Sequence, residues 1–134
     1  MSVKGSCLCG SVSFELDGDF ESFFLCHCSY CRKDTGSAHA ANLFSKNANL
    51  KWNSGQELVK NFKLPSTRHT KSFCKECGSA VPIEVVDLGL VVVPAGSLDD
   101  DITIKPTAHI FTASRAKWEE NLAEVHSFEA FPQD

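Results

Sequence analysis

Several things are missing from this chain of 134 residues. No apolar run approaches the roughly 20 residues a membrane-spanning helix needs. The longest, Gly89-Leu90-Val91-Val92-Val93-Pro94-Ala95-Gly96, has only the length of a strand. There is no surplus of positive charge either: 13 Lys and Arg stand against 17 Asp and Glu, for a net charge of −4. Nucleic-acid surfaces depend on clustered Lys and Arg, and the basic residues here are scattered, so no nucleic-acid partner and no membrane partner are expected. Linkers, repeats and low-complexity segments are absent. The first residues, Met1-Ser2-Val3-Lys4-Gly5-Ser6-Cys7, hold no apolar stretch fit for a signal peptide, which predicts a cytoplasmic protein. A chain of this length makes one domain, taken as residues 1–134, and buries about two-thirds of its surface on folding.

Cysteine is what the chain does have. The seven cysteines fall into three clusters: Cys7 and Cys9; Cys26, Cys28 and Cys31; Cys74 and Cys77, with Gly78 directly behind. An odd count fits disulfides poorly, and a reducing cytosol keeps thiols free. Closely spaced thiols there hold metal or do redox chemistry. The two pairs supply four thiolates, enough to close a tetrahedral zinc site that contributes folding free energy. The middle cluster supplies three and leaves one position open, which is what separates a reactive zinc from a structural one. A rival pairing sets 26/28 or 28/31 against 74/77 and leaves 7/9 with one further cysteine. Spacing alone leaves both pairings standing.

Three thiolates lower the Lewis acidity of zinc, so such a site generates hydroxide poorly. It suits the capture of another thiol, whose free pKa of about 8.5 coordination would lower. Arg32-Lys33, directly after Cys31, is the one compact basic pair near a cluster, and it fits a small anionic ligand.

Most of the chain reads as short strands with many turns, an antiparallel, mainly β fold. Val12, Phe14 and Leu16 alternate with Ser11, Ser13 and Glu15. Phe20 to Cys26 forms the next strand, with Asp17-Gly18-Asp19 as the turn between. Ser29 to Thr35 makes a helical turn stopped by Gly36. Ala38 to Phe44, Leu50 to Trp52 and Leu58 to Leu64 are further strands, the last also compatible with one helical face before Pro65. Thr67 to Phe73 leads into Cys74-Lys75-Glu76-Cys77-Gly78, which has the form of a zinc knuckle. Val81 to Val86 and Leu88 to Val93 form a hairpin around Asp87. Ser114 to Asn121 is the strongest helix, capped by Ser114. His109 and Trp118 are expected in a packed core, and Asp99-Asp100-Asp101 in a solvated turn. His39, His69 and His126 carry no signal.

Three stretches, in order, carry a resemblance. Gly5-Ser6-Cys7-Leu8-Cys9-Gly10-Ser11-Val12-Ser13-Phe14-Glu15 fits G-x-C-x-C-G-x-V-x-F/Y-E. Cys26-His27-Cys28-Ser29-Tyr30-Cys31-Arg32-Lys33-Asp34-Thr35-Gly36-Ser37 fits C-H-C-x-x-C-R-K-x-x-G-S. Phe73-Cys74-Lys75-Glu76-Cys77-Gly78-Ser79 fits F-C-x-x-C-G-S. Pro94-Ala95-Gly96-Ser97-Leu98-Asp99-Asp100 and His109-Ile110-Phe111 with Trp118 also fit. The chain resembles the glutathione-dependent formaldehyde-activating enzyme family, which includes the centromere protein V domain.

The resemblance implies a β-tent fold, similar to the Mss4-like group, with one or two short helices. It implies two zinc ions per chain: a structural one on Cys7, Cys9, Cys74 and Cys77, and a catalytic one on Cys26, Cys28 and Cys31. It implies a carbon–sulfur lyase that joins glutathione and formaldehyde, the thiolate held at the open zinc position. His27 is the candidate donor to the nascent alkoxide, or else a group that tunes a neighbouring thiolate. Arg32 and Lys33 are the candidates for holding the thiol's carboxylates. The motifs do not select glutathione over another small thiol, and they leave a homodimer open. Two other functions compete: a non-catalytic zinc module, whose middle cluster a fourth ligand such as His would close, and a redox protein using Cys28-Ser29-Tyr30-Cys31.

Overall fold

The structure, a computed structural model, describes residues 2–132; Met1, Gln133 and Asp134, which the one-domain reading includes, lie outside the described residues. Ten strands and one α-helix carry the fold. The strands are β1 (Ser2–Ser6), β2 (Ser13–Asp17), β3 (Ser22–Cys26), β4 (Ala40–Ser45), β5 (Asn49–Ser54), β6 (Val59–Lys63), β7 (Thr70–Cys74), β8 (Ile83–Val85), β9 (Leu90–Pro94) and β10 (Ala108–Ile110); helix α1 is Ser29–Thr35. The fold is mainly β, as the sequence predicts.

Three sheets form, in the orders β1-β2-β5, β10-β3-β4-β9-β8 and β6-β7. All pairs are antiparallel except β10 with β3, which runs parallel and sets Ile110 beside Cys26. The alternation at residues 12–16 does what a half-buried strand requires: Val12, Phe14 and Leu16 are fully buried. Phe14 and Leu16 close a core with Val3 from the same sheet and with Phe23, Leu43, Val91 and Val93 from the larger one. A smaller core gathers Cys7, Val12, Cys74 and Val81, with Trp52, Leu58 and Val59 against it. That second core sits where the two distant cysteine pairs meet. Among the described residues no helix is long and apolar enough to cross a membrane.

Three expectations change and one ambiguity is resolved. Asp17-Gly18-Asp19 does not turn a hairpin: β2 and β3 belong to different sheets, and the segment carries the chain from one to the other. The ambiguous stretch before Pro65 is a strand, because β6 gains a full ladder with β7. Asp99 and Asp100 are not merely solvated: Asp99 Oδ2 accepts from Ser6 Oγ at 2.9 Å and Asp100 Oδ2 from the Lys4 N–H at 2.8 Å, fastening β1. The expected helix at Ser114–Asn121 is instead a run of separate 3₁₀ turns at Thr112–Ser114, Lys117–Glu119 and Leu122–Glu124. The Ser114 carbonyl, which would open that helix, accepts instead from the Arg32 guanidinium at 2.8 Å. Ala116 and Glu120 are extended and Asn121 is left-handed, so tertiary anchoring overrides helical propensity here.

Candidate metal centres and their surroundings

The chain brings Cys7, Cys9, Cys74 and Cys77 together, with all four sulfurs within 4.8 Å of one another. Two knuckles of the same design do this. In one the Gly10 N–H donates to the Cys7 carbonyl at 3.0 Å; in the other the Gly78 N–H donates to the Cys74 carbonyl at 2.8 Å. Both glycines lie at positive φ, +80° and +77°, a conformation that costs glycine little and other residues much. The sulfur spacing fits a metal. Cys7 Sγ and Cys9 Sγ are 3.6 Å apart, and Cys9 Sγ and Cys74 Sγ 3.9 Å. A tetrahedron with Zn–S of about 2.3 Å has edges of about 3.8 Å. The rival pairing is thereby set aside.

Backbone and hydroxyl donors prepare this cluster for thiolate charge. The Ser79 hydroxyl accepts from the Leu8 N–H at 2.9 Å and lies 3.4 Å from Cys77 Sγ. The hydroxyl and backbone N–H of Ser79, with the Cys9 backbone, bring the Cys77 pKa down to about 5. Cys9 is lowered likewise by the side chain and backbone of Ser11. Cys74 feels the Cys77 backbone donor, which pulls it down, but burial and the Cys7 and Cys77 thiols outweigh it and leave it at about 11. Four thiols this close cannot all ionise without a cation between them; a metal resolves the conflict.

Cys26, Cys28 and Cys31 form a separate group, their sulfurs within 4.8 Å of one another. Cys26 ends β3, and Cys28 is the N-cap of α1, its Sγ accepting from the Cys31 N–H at 3.3 Å. Burial raises Cys26 and Cys31. At Cys28 burial also pushes upward, but hydrogen bonds from the Cys31 backbone and from the Cys31 and Cys26 thiols outweigh it, and the net shift is down. Among the described residues no His, Asp or Glu joins this group. The chemistry of the donor set, three soft sulfurs and nothing else, fits zinc with one position free.

The helix is fixed at both ends of its motif. Gly36 closes it in the left-handed conformation. Asp34 binds His69 Nε2 at 2.8 Å and Lys71 Nζ at 2.8 Å, tying α1 to β7. Arg32 reaches the other way, to Ser114. Of the two expected anion-holding residues, Arg32 is therefore half-buried and partly engaged. Lys33 is exposed, beside a mostly apolar cleft lined by Tyr30, Phe62, Leu64 and Lys71.

His27 does not share its neighbours' direction. Phe23 and Leu25 pack on the core side of β3, and alternation carries His27 to that side, away from Cys26. Its ring is fully buried. Nε2 lies 2.8 Å from His109 Nδ1, and Nδ1 lies 3.0 Å from Glu119 Oε2. His39 packs its ring 5.1 Å from that of His27. Neither His109 nor Trp118 is in a packed core: His109 is exposed, and Trp118 is 64% exposed. The parallel β10 edge strand carries the one, and the 3₁₀ turn Lys117–Glu119 the other. Nothing in the local sequence marks His39 or Glu119; Glu119 arrives from a segment without periodicity.

Comparison with known proteins agrees with this geometry. Residues 2–114 match the family described as glutathione-dependent formaldehyde-activating enzyme, GFA. The chain belongs to the GFA family. A protein of Halomonas elongata that bears, provisionally, the name glutathione-dependent formaldehyde-activating enzyme is 29% identical over 130 residues, covering 90% of this chain and 81% of that one. A crystal structure of a Rhodobacter sphaeroides protein superposes with a TM-score of 0.57 at 23% identity, over 79% of this chain and 98% of that one, a likeness of fold. The GFA motifs thus fall on two cysteine groups of the fold, and the fold is the Mss4-like, mainly β one that the resemblance implies.

Proposed function

We propose that this GFA protein is a zinc-dependent carbon–sulfur lyase that joins a small thiol of the glutathione type to formaldehyde or a similar aldehyde, and splits the adduct in reverse. The observation that carries the reading is the convergence of Cys26, Cys28 and Cys31 without a fourth ligand among the described residues. A closed module would have filled that place, as the His-closed alternative requires, and the nearest histidine, His27, turns its ring elsewhere.

In this reading Cys7, Cys9, Cys74 and Cys77 hold a structural zinc, and Cys26, Cys28 and Cys31 a second, catalytic one. When bound, that second ion supplies a soft acid which favours the thiolate form of an incoming thiol. The protein does the rest. The Cys31 N–H and the helix cap hold Cys28 in place; Cys31 is buried, while Cys26 and Cys28 are half-buried and within reach of an incoming thiol. Arg32 uses one guanidinium donor on Ser114 and keeps others for a carboxylate, and Lys33 stands free beside it.

The chemistry balances without an oxidant: the S–H bond breaks, the C–S bond forms, and the carbonyl oxygen takes the proton. Water at the half-exposed side of the cluster supplies that proton; His27, the candidate donor read from the motif, has its ring buried against His109 and Glu119 and no direct path to the thiolates. The test is exchange of ¹³C-formaldehyde into S-hydroxymethylglutathione, followed by NMR beside the spontaneous reaction. Zinc-loaded protein should accelerate exchange and Cys28→Ser should not; no acceleration by fully loaded wild type would overturn the lyase reading.

A further inference from the structure

Among the described residues three buried side-chain atoms find no hydrogen-bond partner: His27 Nδ1, His39 Nδ1 and Glu119 Oε2. All three belong to one cluster of side chains. Buried polar atoms left alone are rare and cost about 1–3 kcal/mol each, so three in one place call for a missing partner. Glu119 Oε2 stands 3.0 Å from His27 Nδ1 and 3.3 Å from Arg115 Nε, ion-pair contacts that do not amount to hydrogen bonds. Arg115 stands at the exposed rim, while the Glu119 side chain is only 8% exposed.

The cluster is built from separate elements. His27 follows β3, His39 precedes β4, His109 lies on β10, and Glu119 comes from the C-terminal turns. His27, His109 and Glu119 each bring one donor atom within 4.8 Å of the other two. The His39 ring lies 5.1 Å from that of His27 and 6.4 Å from that of His109. None of the donors is sulfur, and the set shares no residue with the Cys26, Cys28 and Cys31 group.

We infer that this cluster is a further metal site, holding one divalent cation of the zinc class on His27, His109 and Glu119, with His39 alongside. Imidazole and carboxylate together suit Zn²⁺, and also Co²⁺ or Ni²⁺, better than hard cations that seek oxygen alone. The ion would answer the unpartnered atoms of His27 and Glu119 together. It would also fasten the C-terminal turns to the two strands beneath them. The inference does not depend on the lyase reading, because none of the thiol ligands takes part.

The test is a metal count. Wild type, His109→Ala, Glu119→Gln, Cys28→Ser and the Cys28→Ser, His109→Ala double variant are dialysed against a zinc buffer that holds free Zn²⁺ well below the micromolar range, and zinc per chain is measured by mass spectrometry. His109 is exposed and Glu119→Gln keeps the side-chain shape, so one of the two variants should fold even if the other does not. The count should fall by one ion in His109→Ala and in Glu119→Gln. It should fall by a different one in Cys28→Ser, and by two in the double variant. Equal zinc in wild type, His109→Ala and Glu119→Gln would assign the cluster to water and overturn the inference, whatever the Cys28→Ser count shows about the thiol site.

Discussion

Cys9 Sγ and Cys74 Sγ stand 3.9 Å apart although 65 residues separate them in the chain. The contact joins the knuckle between β1 and β2 to the one that follows β7, across the smaller of the two cores. A metal there contributes on the order of 10 kcal/mol, against a net stability of about 5–15 kcal/mol for an ordinary domain. Cys77→Ser should therefore lose its cooperative thermal transition at room temperature by circular dichroism, and a strong chelator should do the same to wild type. A sharp melt in Cys77→Ser would show that the two cores stand without the metal.

The middle cluster should behave otherwise. Cys28 caps α1 through its sulfur, and serine is a better cap than cysteine. Cys28→Ser should keep the fold, with a melting temperature within a few degrees of wild type, while losing one metal ion and the thiol-dependent activity. Cys28→Ala removes the cap as well and should cost about 1 kcal/mol more. Denaturant titration of the pair separates the cap from the metal.

Arg32→Ala should loosen the C-terminal turns before it unfolds anything else. Its guanidinium bond to the Ser114 carbonyl is charge-assisted but exposed, worth about 1 kcal/mol. Limited proteolysis should cut residues 111–131 faster in the variant than in wild type. If Arg32 also holds the thiol's carboxylates, KM for glutathione should rise while KM for a small neutral thiol stays unchanged; an equal change for both would leave Arg32 a purely structural role.

Acid should destabilise the protein partly through His39. Its folded pKa lies below the ordinary value of 6.5, so below that value the unfolded chain takes up the proton first. The contribution is present above pH 6.5 and fades as the pH falls through the lowered folded value. The drop in melting temperature between about pH 7.5 and about pH 5.5 should be smaller in His39→Gln than in wild type. An equal drop in both would mean that protonation of the thiolates accounts for all of it.

The parts of this molecule legible in the sequence are those with short-range cause. Period-two alternation marked β2, cysteine spacing marked both thiol groups, and Gly36 and Gly78 marked a helix stop and a knuckle. What stayed hidden depends on distant partners. β1 is five residues, with its Gly5 in the ladder opposite Phe14, and it becomes a strand through β2 on one side and Asp99 and Asp100 on the other. β10 is three residues and exists through its pairing with β3. The helix expected at Ser114–Asn121 gives way because Arg32 and His27 take its Ser114 carbonyl and its Glu119 side chain. Glu119 and His39 carry no local pattern, since only the folded chain sets them beside His27.

The clasp between the two knuckles also sets a timetable. Cys7 and Cys9 leave the ribosome first, and their last partner, Cys77, is made about seventy residues later. At roughly 5–20 residues per second that is a delay of several seconds. Throughout it the first two thiols are exposed on an unfinished chain, open to oxidation or to a passing metal. A cell short of the metal that the clasp takes, or rich in oxidant, would harm this protein most while it is being made, and far less once the clasp has shut.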